Sequence, residues 1–380
     1  MNRKNFLIAS LALLTLGLLA TSARAQYTAS ILHPVPFGFP FGSSAAGVAG
    51  GTQVGVVTFL GIDHAFLWSG SAASAVELHP AGFDYSSARG ISGSSQVGYG
   101  FESASSQYHA LLWSGSAASA VDLHPAGFDN SSASAVSGGF QAGYGAVTGG
   151  GNHALLWNGS AASAVDLHPA GFDDTYASGV SGSFQVGVGT GVATGGDDHA
   201  LLWSGSAASV VDVHPLTGYF DTGAHGTDGS QIIGGGLTDT GDAHALLWDA
   251  TTYSLTDLNP AGISDSGGNG VYGGFQVGSA TGVATGGDQH AFLWAGSASS
   301  AVDLHDFLTG LPISLLTSEA YGIDSNGDIV GRGFDDSGNV YALLWKSTAS
   351  VSSAPEPGTL GLLILGGVLG IRKQRRKVSR

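Results

Sequence analysis

A five-residue word that ends in tryptophan recurs along the whole chain and accounts for every tryptophan in it. Its copies are His64–Trp68, His109–Trp113, His153–Trp157, His199–Trp203, His244–Trp248, His290–Trp294 and Tyr341–Trp345. Successive tryptophans are 45, 44, 46, 45, 46 and 51 residues apart. A period near 45 residues is typical of a four-stranded propeller blade. The repeat therefore predicts one structural unit that is used many times.

Three further words accompany each tryptophan word at nearly fixed distances. Examples from one repeat are 88–92, 96–100 and the Val-Asp-Leu-His-Pro stretch at 121–125. Each word is short, rich in apolar and β-branched residues, and bounded by Gly, Asp, Ser or Pro, which is the pattern of strands separated by turns. In the tryptophan word, His, Leu and Trp fall on one face of a strand and Ala and Leu on the other, so both faces are predicted to be covered.

The two ends of the repeat region match each other. Residues 29–34 align with the Leu-His-Pro word but follow no tryptophan word, and Trp345 is followed by no Leu-His-Pro word. Two half-blades of this kind would complete one blade and hide two sheet edges. The sequence therefore predicts an all-β fold, a seven-bladed β-propeller over 26–350 that is closed by its terminal half-blades. An open β-solenoid with the same repeat is the alternative.

The tryptophan words carry a resemblance to a known family. His64-Ala65-Phe66 and His290-Ala291-Phe292, each followed by Leu-Trp, resemble the HAF-type repeats of bacterial extracellular proteins, and residues 320–331 resemble that family's other segment. The other copies differ by leucine at the phenylalanine position. The resemblance implies secretion and a propeller-like repeat, and it implies no reaction.

The N-terminus has the features of a secretory signal peptide over 1–25. Arg3 and Lys4 precede an apolar stretch, and Ala23 and Ala25 form an A-x-A-type cleavage site. The alternative is an N-terminal membrane anchor, for which the apolar stretch is short. The sequence predicts that the mature chain begins at Gln26.

The C-terminus has three parts in a fixed order. Pro355, Glu356 and Pro357 lie in a linker at 351–358, an apolar segment follows at 359–371, and a basic tail occupies 372–380. A helix over the apolar segment would span about 20 Å, less than the ~30 Å hydrocarbon core. The positive tail is expected to stay in the cytoplasm. These features favour a temporary transmembrane segment over a permanent tail anchor.

This three-part order resembles the PEP-CTERM sorting signal of Gram-negative bacteria that make exopolysaccharide. The resemblance implies that Pro355, Glu356 and Pro357 form the sorting motif and that an exosortase cleaves nearby. The expected partners are thus the export machinery, an exosortase, and exopolysaccharide or other surface proteins.

The charge of the repeat region excludes several partners. Residues 26–353 contain 27 acidic residues and only three basic ones, Arg89, Arg332 and Lys346, so their net charge is −24. Such a charge repels the phosphates of nucleic acids and favours solubility. The chain has no cysteine, which excludes disulfides, thiolate metal sites and cysteine nucleophiles.

Histidines and acids recur at fixed repeat positions. Six histidines begin tryptophan words, where a ring of metal ligands is one interpretation and a structural tie between strands is the other. The structural role is favoured because Tyr341, a poor zinc ligand, replaces histidine in one copy. The acids of the Leu-His-Pro word are interpreted as solvated edge or turn residues: Glu77, Asp122, Asp166, Asp212, Asp257 and Asp303.

The loop 324–328, Asp-Ser-Asn-Gly-Asp, has oxygen ligands at alternate positions but lacks the distal glutamate of a full EF-hand loop. Turn chemistry explains these residues equally well. The same two interpretations apply to the Gly-Gly-Asp turns at 195–198 and 286–288. No resident cofactor is predicted, calcium is the one candidate, and the metal site is unknown.

Residues that break the repeat are the best guide to function. They are Arg89, Glu102, the segment 216–227 with Tyr219 and His225, the insertion 306–318, and Arg332 near Asp335 and Asp336. The alternative interpretation is local ion pairs and drift of loop sequences. No catalytic set of residues is predicted, and no helix is evident in the repeat region.

The sequence favours a non-enzymatic surface or biofilm-matrix protein that binds or scaffolds. The alternative is a secreted polysaccharide-degrading enzyme with its site at the mouth of the channel. An asymmetric pair of carboxylates in that channel would favour the enzyme.

Overall fold

A computed structural model of the chain describes residues 27–33 and 40–348, apart from the side chains of residues 40 and 41. Contacts divide the chain into two units, 1–350 and 351–380, and all described residues belong to the first. Ala23, Ala25, the Pro355-Glu356-Pro357 motif and the apolar segment lie outside the described residues. No helix among the described residues is long and apolar enough to cross a membrane.

Nearly all of the described chain forms antiparallel sheets whose strands follow chain order. Five sheets have four strands: β6 (Tyr85–Ser92), β7 (Ser95–Glu102), β8 (Gln107–Trp113) and β9 (Val121–Asp122); β10 (Phe128–Ser137), β11 (Phe140–Val147), β12 (Asn152–Trp157) and β13 (Val165–Asp166); β14 (Asp174–Ser181), β15 (Phe184–Thr190), β16 (His199–Trp203) and β17 (Val211–Asp212); β18 (Tyr219–Thr227), β19 (Gln231–Thr238), β20 (Ala243–Asp249) and β21 (Leu255–Asp257); β22 (Ile263–Tyr272), β23 (Phe275–Gly282), β24 (His290–Trp294) and β25 (Val302–Asp303). Each four-stranded unit is called a blade here and is named after its first strand.

The sixth sheet has eight strands and contains both ends of the described chain. Its strands are β26 (Thr317–Ile323), β27 (Ile329–Phe334), β28 (Val340–Ser347), β1 (Tyr27–Ile31), β2 (Pro40–Ala49), β3 (Thr52–Phe59), β4 (Ile62–Trp68) and β5 (Val76–Glu77). β1 pairs with β28, which completes the β26 blade, and β2–β5 form the β2 blade. A single parallel bridge, Gly42 to Val340, joins the two blades in one sheet.

The blades are arranged in a closed ring. Each first strand contacts the first strand of the next blade, in the order β2, β6, β10, β14, β18, β22 and β26, and β26 contacts β2. Closure through the terminal half-blades is confirmed by the pairing of Ala29 with Trp345. The open solenoid is wrong, because its first and last units would not meet. The number of seven blades stays a prediction, since the β26 and β2 blades are hydrogen-bonded into one sheet.

The core consists of apolar layers between neighbouring blades. The tryptophans of the repeated word are all fully buried: Trp68, Trp113, Trp157, Trp203, Trp248, Trp294 and Trp345. One layer joins Leu32 to Phe66 and Trp68 of the β2 blade and to Leu344 of β28, so it spans the point where the ring closes. A tryptophan every 45 residues thus gives each gap between blades one large side chain.

Short 3₁₀ helices interrupt the loops, which corrects the expectation that the repeat region has no helical segment. Most lie in the Gly-Ser-Ala-Ala-Ser loops between third and fourth strands: Ala72–Ser74, Ala117–Ser119, Ala161–Ser163, Ala207–Ser209 and Ala298–Ser300. Others are Val192–Thr194, Val283–Thr285 and His305–Leu308. In the first of these loops the Ser74 hydroxyl donates to the Ser71 carbonyl and accepts from the Ser69 amide, a local bond that the serine-rich sequence supplies.

Candidate functional site

Each blade except the β26 blade carries a histidine–carboxylate pair on its outer strands. The histidine that begins the tryptophan word places Nδ1 within 2.5–2.8 Å of a carboxylate oxygen of the fourth strand. The pairs are His64–Glu77, His109–Asp122, His153–Asp166, His199–Asp212, His244–Asp257 and His290–Asp303. Because a carboxylate only accepts, Nδ1 carries the proton. The repeated acids therefore fix third strands to fourth strands.

A second histidine ties each blade except the β18 blade to the next one. His124 stacks on His109 with ring centroids 4.2 Å apart. Its Nε2 donates to the Phe128 carbonyl, so its Nδ1 accepts from the Ser131 hydroxyl. Ser131 Oγ in turn accepts from the Ala110 amide, in the preceding blade. The His124 ring, which follows the last strand of one blade, therefore bonds to Phe128 and Ser131 of the first strand of the next blade.

The same arrangement closes the ring. His33 Nδ1 lies 2.8 Å from Ser43 Oγ, which accepts from the Ala342 amide at 2.9 Å. Tyr341 takes the place of the first histidine and packs edge-on against His33, with ring centroids 5.4 Å apart. The tyrosine hydroxyl bonds to Asp335 instead of to a fourth-strand carboxylate. The bond between Ser43 and Ala342, which are far apart in the chain, therefore repeats the bond that joins much closer residues, such as Ser131 and Ala110, in the other links.

Removal of the serine hydroxyl in this link is expected to destabilise the protein. Ser131→Ala leaves the buried Ala110 amide without an acceptor, which costs about 1–3 kcal/mol. The neighbouring Ser132 is the matched control: it is also buried, but its hydroxyl has no partner within the described part of the chain. Urea unfolding of both variants should give a loss for Ser131→Ala and almost none for Ser132→Ala; equal losses would contradict the assigned bond.

Burial lowers the pKa of the second histidines, and electrostatic repulsion by the neighbouring first histidine is the next cause. They are His79, His124, His168, His214 and His305; burial also lowers the pKa of His33. Below a pH of about 6.5 the unfolded chain binds more protons than the folded one. These histidines therefore stabilise the fold at neutral pH, and the stabilisation is lost as the pH falls through their folded pKa values.

Asparagine at these positions should weaken that pH dependence. Asn259 occupies the second-histidine position in the link after the β18 blade, where Oδ1 accepts from Ser266 and Nδ2 donates to the Ile263 carbonyl. The variant carrying His79→Asn, His124→Asn, His168→Asn and His214→Asn should lose less stability than the natural chain between pH 7.5 and 5.5. Unfolding midpoints in urea measure the stability of both proteins across this pH range. If both lose stability in parallel as the pH falls, these histidines do not cause the pH dependence.

The inner surface of the ring is built by a β-bulge in the first strand of each blade. At every bulge one residue is skipped in the pairing with the second strand, for example between Ala88 and Gly90. The skipped residues are Ala46, Arg89, Ser134, Ser178, His225, Asn269 and Tyr321. Ser134, Ser178 and His225 line the central channel. Bulges redirect a side chain, and here they supply the varied residues of the channel wall.

A glycine opposite each bulge makes room for it. In the third word of the repeat, the glycine of the Val-Gly or Ala-Gly pair faces the carbonyl that precedes the bulge; a Cβ on Gly98 would lie 1.9 Å from the Ser87 oxygen. No side chain fits there. The glycine noted in the sequence as part of a strand is therefore what allows the bulge to form.

The channel has a narrow end formed where first strands turn into second strands. A collar of aliphatic side chains and one threonine surrounds it: Val48, Ile91, Val136, Val180, Thr227, Val271 and Ile323. Asp228 and Asp324 lie at its rim. Both use their carboxylates to accept amides of the next blade, Gly273 and Gly51 respectively.

The loop 324–328 is held by its own backbone. Asp324 Oδ1 accepts from the amides of Asn326 and Asp328, and Asp328 Oδ1 accepts from the Ser347 amide. Over the described residues there is no group of three or more His, Asp or Glu arranged to hold a metal ion. Turn chemistry accounts for the loop, and calcium binding there stays an untested prediction.

Two of the repeat-breaking arginines lie on the channel side of their blades. The Arg89 guanidinium lies 5.0 Å from the centre of the Tyr99 ring. Arg332 bonds Glu319 at 2.9–3.0 Å and stacks on Tyr321, whose hydroxyl also donates to Glu319. Arg332 thus forms a local ion pair, with Glu319 as its partner instead of the nearby Asp335 or Asp336. Register explains the difference, because Arg332 lies directly opposite Glu319 on the neighbouring strand.

The remaining repeat-breaking residues have separate roles. Glu102 accepts from the Ser105 hydroxyl within its own loop. The Tyr219 hydroxyl donates to Asp257. The insertion begins with the 3₁₀ helix His305–Leu308, where Phe307 packs edge-on against Tyr27. Of the segment 216–227, His225 alone occupies a bulge position in the channel.

The β14, β18 and β22 blades leave open space beside the channel, and His225 borders both. A cavity of about 400 Å³ is lined there by Asp198, Asp221, His225, Val188 and Leu237, together with small residues of β18, β19 and β22. Asp221 Oδ1 accepts from the Asp198 amide at 2.9 Å. Partial burial, followed by the Asp221 charge, raises the pKa of Asp198.

Sequence reasoning singled out Arg89 and His225 but missed the other bulge residues. It noted Asp198 only as part of a turn and Asp221 only within the segment 216–227. A signal for the bulges exists in the word at 88–92 and its equivalents. One variable residue stands there between two small residues, as Arg89 does between Ala88 and Gly90. The cavity has no such signal, because its walls come from three blades.

Comparison with known proteins supports the fold. The β-propeller domain of the Trilobed protease from Pyrococcus furiosus is 9% identical, with a TM-score of 0.51 over 82% of this chain and 99% of that one. A Mycobacterium tuberculosis puromycin-hydrolyzing peptidase is 14% identical, with a TM-score of 0.50 over 81% of this chain and 52% of that one. This chain thus spans about half of the peptidase.

These likenesses show a β-propeller fold, as the sequence predicts, and nothing more specific. The Pyrococcus domain has an open velcro topology, whereas here β1 pairs with β28. No protein-family model matches the chain. No curated protein matches it either.

Proposed function

We propose that this protein is an exported, non-enzymatic propeller that binds polysaccharide or surface proteins at the cell surface or in the biofilm matrix of a Gram-negative bacterium. The signal-like N-terminus and the PEP-CTERM-like C-terminus support export and processing by an exosortase. The net charge of −24 over residues 26–353 argues against nucleic acid as the ligand, because the charge repels phosphates.

One observation carries the binding role. The blades share one frame, yet the bulge positions on their inner strands carry six different residue types: Ala46, Arg89, Ser134, Ser178, His225, Asn269 and Tyr321. Variation confined to one surface of a repeated scaffold is typical of recognition sites. The Gly-Ser-Ala-Ala-Ser loops between third and fourth strands, by contrast, are nearly identical in four blades.

A second candidate function has one observation in its favour. Asp198 and Asp221 form an asymmetric carboxylate pair beside the channel, and the pKa of Asp198 is raised. Such a pair is what a glycoside hydrolase needs for its acid and base. Under this alternative the protein is a secreted polysaccharide-degrading enzyme.

One experiment separates the two functions. Purified protein is incubated with the exopolysaccharide of the producing bacterium, first with calcium and then with EDTA, while bound and released sugar are measured. Binding without fragments supports the binding propeller, and loss of binding in EDTA adds a role for calcium. Released fragments would overturn it in favour of the enzyme. If the polysaccharide is neither bound nor cleaved, a protein partner remains to be sought.

A further inference from the structure

The cavity of the channel wall exists because the β18 blade lacks two side chains that the β14 blade has. On the first strand, Gly223 occupies the position of Tyr176 in the β14 blade; on the second strand, Gly235 occupies the position of Val188. Between the β10 and β14 blades this space is filled by Tyr144 and Tyr176, whose ring centroids lie 5.0 Å apart. The cavity is thus specific to one part of an otherwise repeated surface.

Three hydrogen-bond acceptors face this space. The Asp198 carboxylate is exposed and accepts no hydrogen bond from the described part of the chain, and Asp221 uses only Oδ1. His225 donates from Nδ1 to the Gly268 carbonyl at 2.7 Å, which leaves an unprotonated Nε2. That nitrogen lies 3.5 Å from the place where a Cβ on Gly223 would be, so it points along the cavity wall.

The rest of the lining is apolar or backbone. Val188 and Leu237 provide aliphatic surface, and no lysine or arginine lines the cavity. His225 is exposed to the channel, and desolvation by the surrounding protein lowers its pKa. His225 is therefore a neutral acceptor at neutral pH, and the charged groups of the lining are both negative.

We propose that this cavity binds an amino sugar unit, a pyranose whose free ammonium group lies against Asp198 and Asp221 and whose hydroxyl donates to His225. The ammonium supplies donors and positive charge to two carboxylates, which are the stronger class of hydrogen bonds. The C–H face of the ring fits the aliphatic walls. The inference rests on the proposed polysaccharide-binding function and names the chemistry of its ligand.

Two other ligand classes fit less well. Anionic sugars would bring negative charge to two carboxylates in a chain of strong net negative charge. A metal ion would need at least three converging side-chain ligands, and the described residues contain no group of three His, Asp or Glu arranged to hold one. An N-acetylated sugar has the shape but lacks the charge, which makes it the right comparison ligand.

The test uses chitosan tetramer, which has free ammonium groups, and the fully N-acetylated tetramer, with affinity measured by calorimetry on the purified protein. The double variant Asp198→Asn/Asp221→Asn keeps the shape, and the new amide oxygen still accepts from the residue 198 amide. Loss of the carboxylates should weaken binding about tenfold or more. The variant Gly235→Val fills the cavity with the residue that the β14 blade carries and should weaken binding similarly, with only the His244 carbonyl as a near neighbour, at 3.5 Å.

A matched control has the same substitutions at equivalent positions outside the cavity. Asp63 lies where Asp198 does but is bonded by the Thr58 hydroxyl, and Asp174 lies where Asp221 does but is bonded by Asn152. The double variant Asp63→Asn/Asp174→Asn should therefore bind within about twofold of the natural chain. Near-ultraviolet circular dichroism checks that each variant is folded.

The outcomes are distinguishable. The proposal is supported if the natural chain prefers the chitosan tetramer and if Gly235→Val and Asp198→Asn/Asp221→Asn each abolish that preference. Equal affinity for both tetramers, no binding at millimolar concentration, or equal effects of the two double variants would overturn it. If the protein binds its own exopolysaccharide but neither tetramer, the proposed function stands and this ligand assignment fails.

Discussion

Gly278→Ala should destabilise the protein by about 3 kcal/mol, the upper part of the range for overpacking. A Cβ on Gly278 would lie 1.9 Å from the carbonyl oxygen of Gly267 on the neighbouring strand. That oxygen belongs to the backbone and cannot rotate away as a side chain can. The pair of strands must therefore separate, or the bulge at Asn269 must be lost.

The same strand pair provides the control. Gly267 has no atom within 4 Å of its would-be Cβ and no left-handed backbone conformation. Gly267→Ala should be neutral or stabilise the fold by up to about 1 kcal/mol, because alanine restricts the unfolded chain. Urea unfolding of both variants measures the difference, and equal stabilities would show that the glycine opposite the bulge is not required.

The expectation extends around the ring. Every blade has a glycine at the position of Gly278, with a would-be Cβ 1.8–2.0 Å from a backbone oxygen: Gly55, Gly98, Gly143, Gly187, Gly234, Gly278 and Gly331. Each therefore supports one bulge and one channel residue. An alanine at any of them should act like Gly278→Ala.

Deletion of residues 27–33 is expected to cost at least about 3 kcal/mol and to open the ring. The segment supplies β1, which pairs with β28, and Leu32, which is fully buried between the β26 and β2 blades. Loss of one buried leucine side chain alone costs about 2–5 kcal/mol. The deletion also exposes the edge of β28 as a template for pairing with another chain.

Thermal unfolding and size-exclusion chromatography test this closure. The deletion variant should melt earlier and associate, and a synthetic peptide of residues 27–33 should restore the melting temperature by occupying the vacant edge. Thr28→Ala is the control, because Thr28 is exposed in the same strand and its loss should change stability by about 0.5 kcal/mol or less. A deletion variant with unchanged melting would mean that the ring does not depend on β1.

The features of the fold that the sequence predicts are those that residues close together in the chain encode. Strand positions, the repeat period and the buried tryptophans come from alternation and turn residues within about ten positions. Closure was also predictable, because residues 29–34 carry the same word that ends the other repeats. The short 3₁₀ helices were missed because their serine-capped turns look like ordinary loops in the sequence.

Site prediction failed where contacts depend on register between strands. Arg332 stands near Asp335 and Asp336 in the sequence, but the register places it opposite Glu319, which is its ion-pair partner. Asp198 was noted only as part of a turn. Its role in the cavity depends on Asp221 in the next blade and on the missing side chains at Gly223 and Gly235.

The sequence by itself therefore determined the repeated all-β unit, its closure through the two ends, and the glycine that each second strand needs. The tertiary structure alone decided which residues face the channel and where open space lies beside it. The physical reason is that a bulge is a relation between two strands, and a cavity is a relation among three blades. Neither relation has a fixed spacing along the chain.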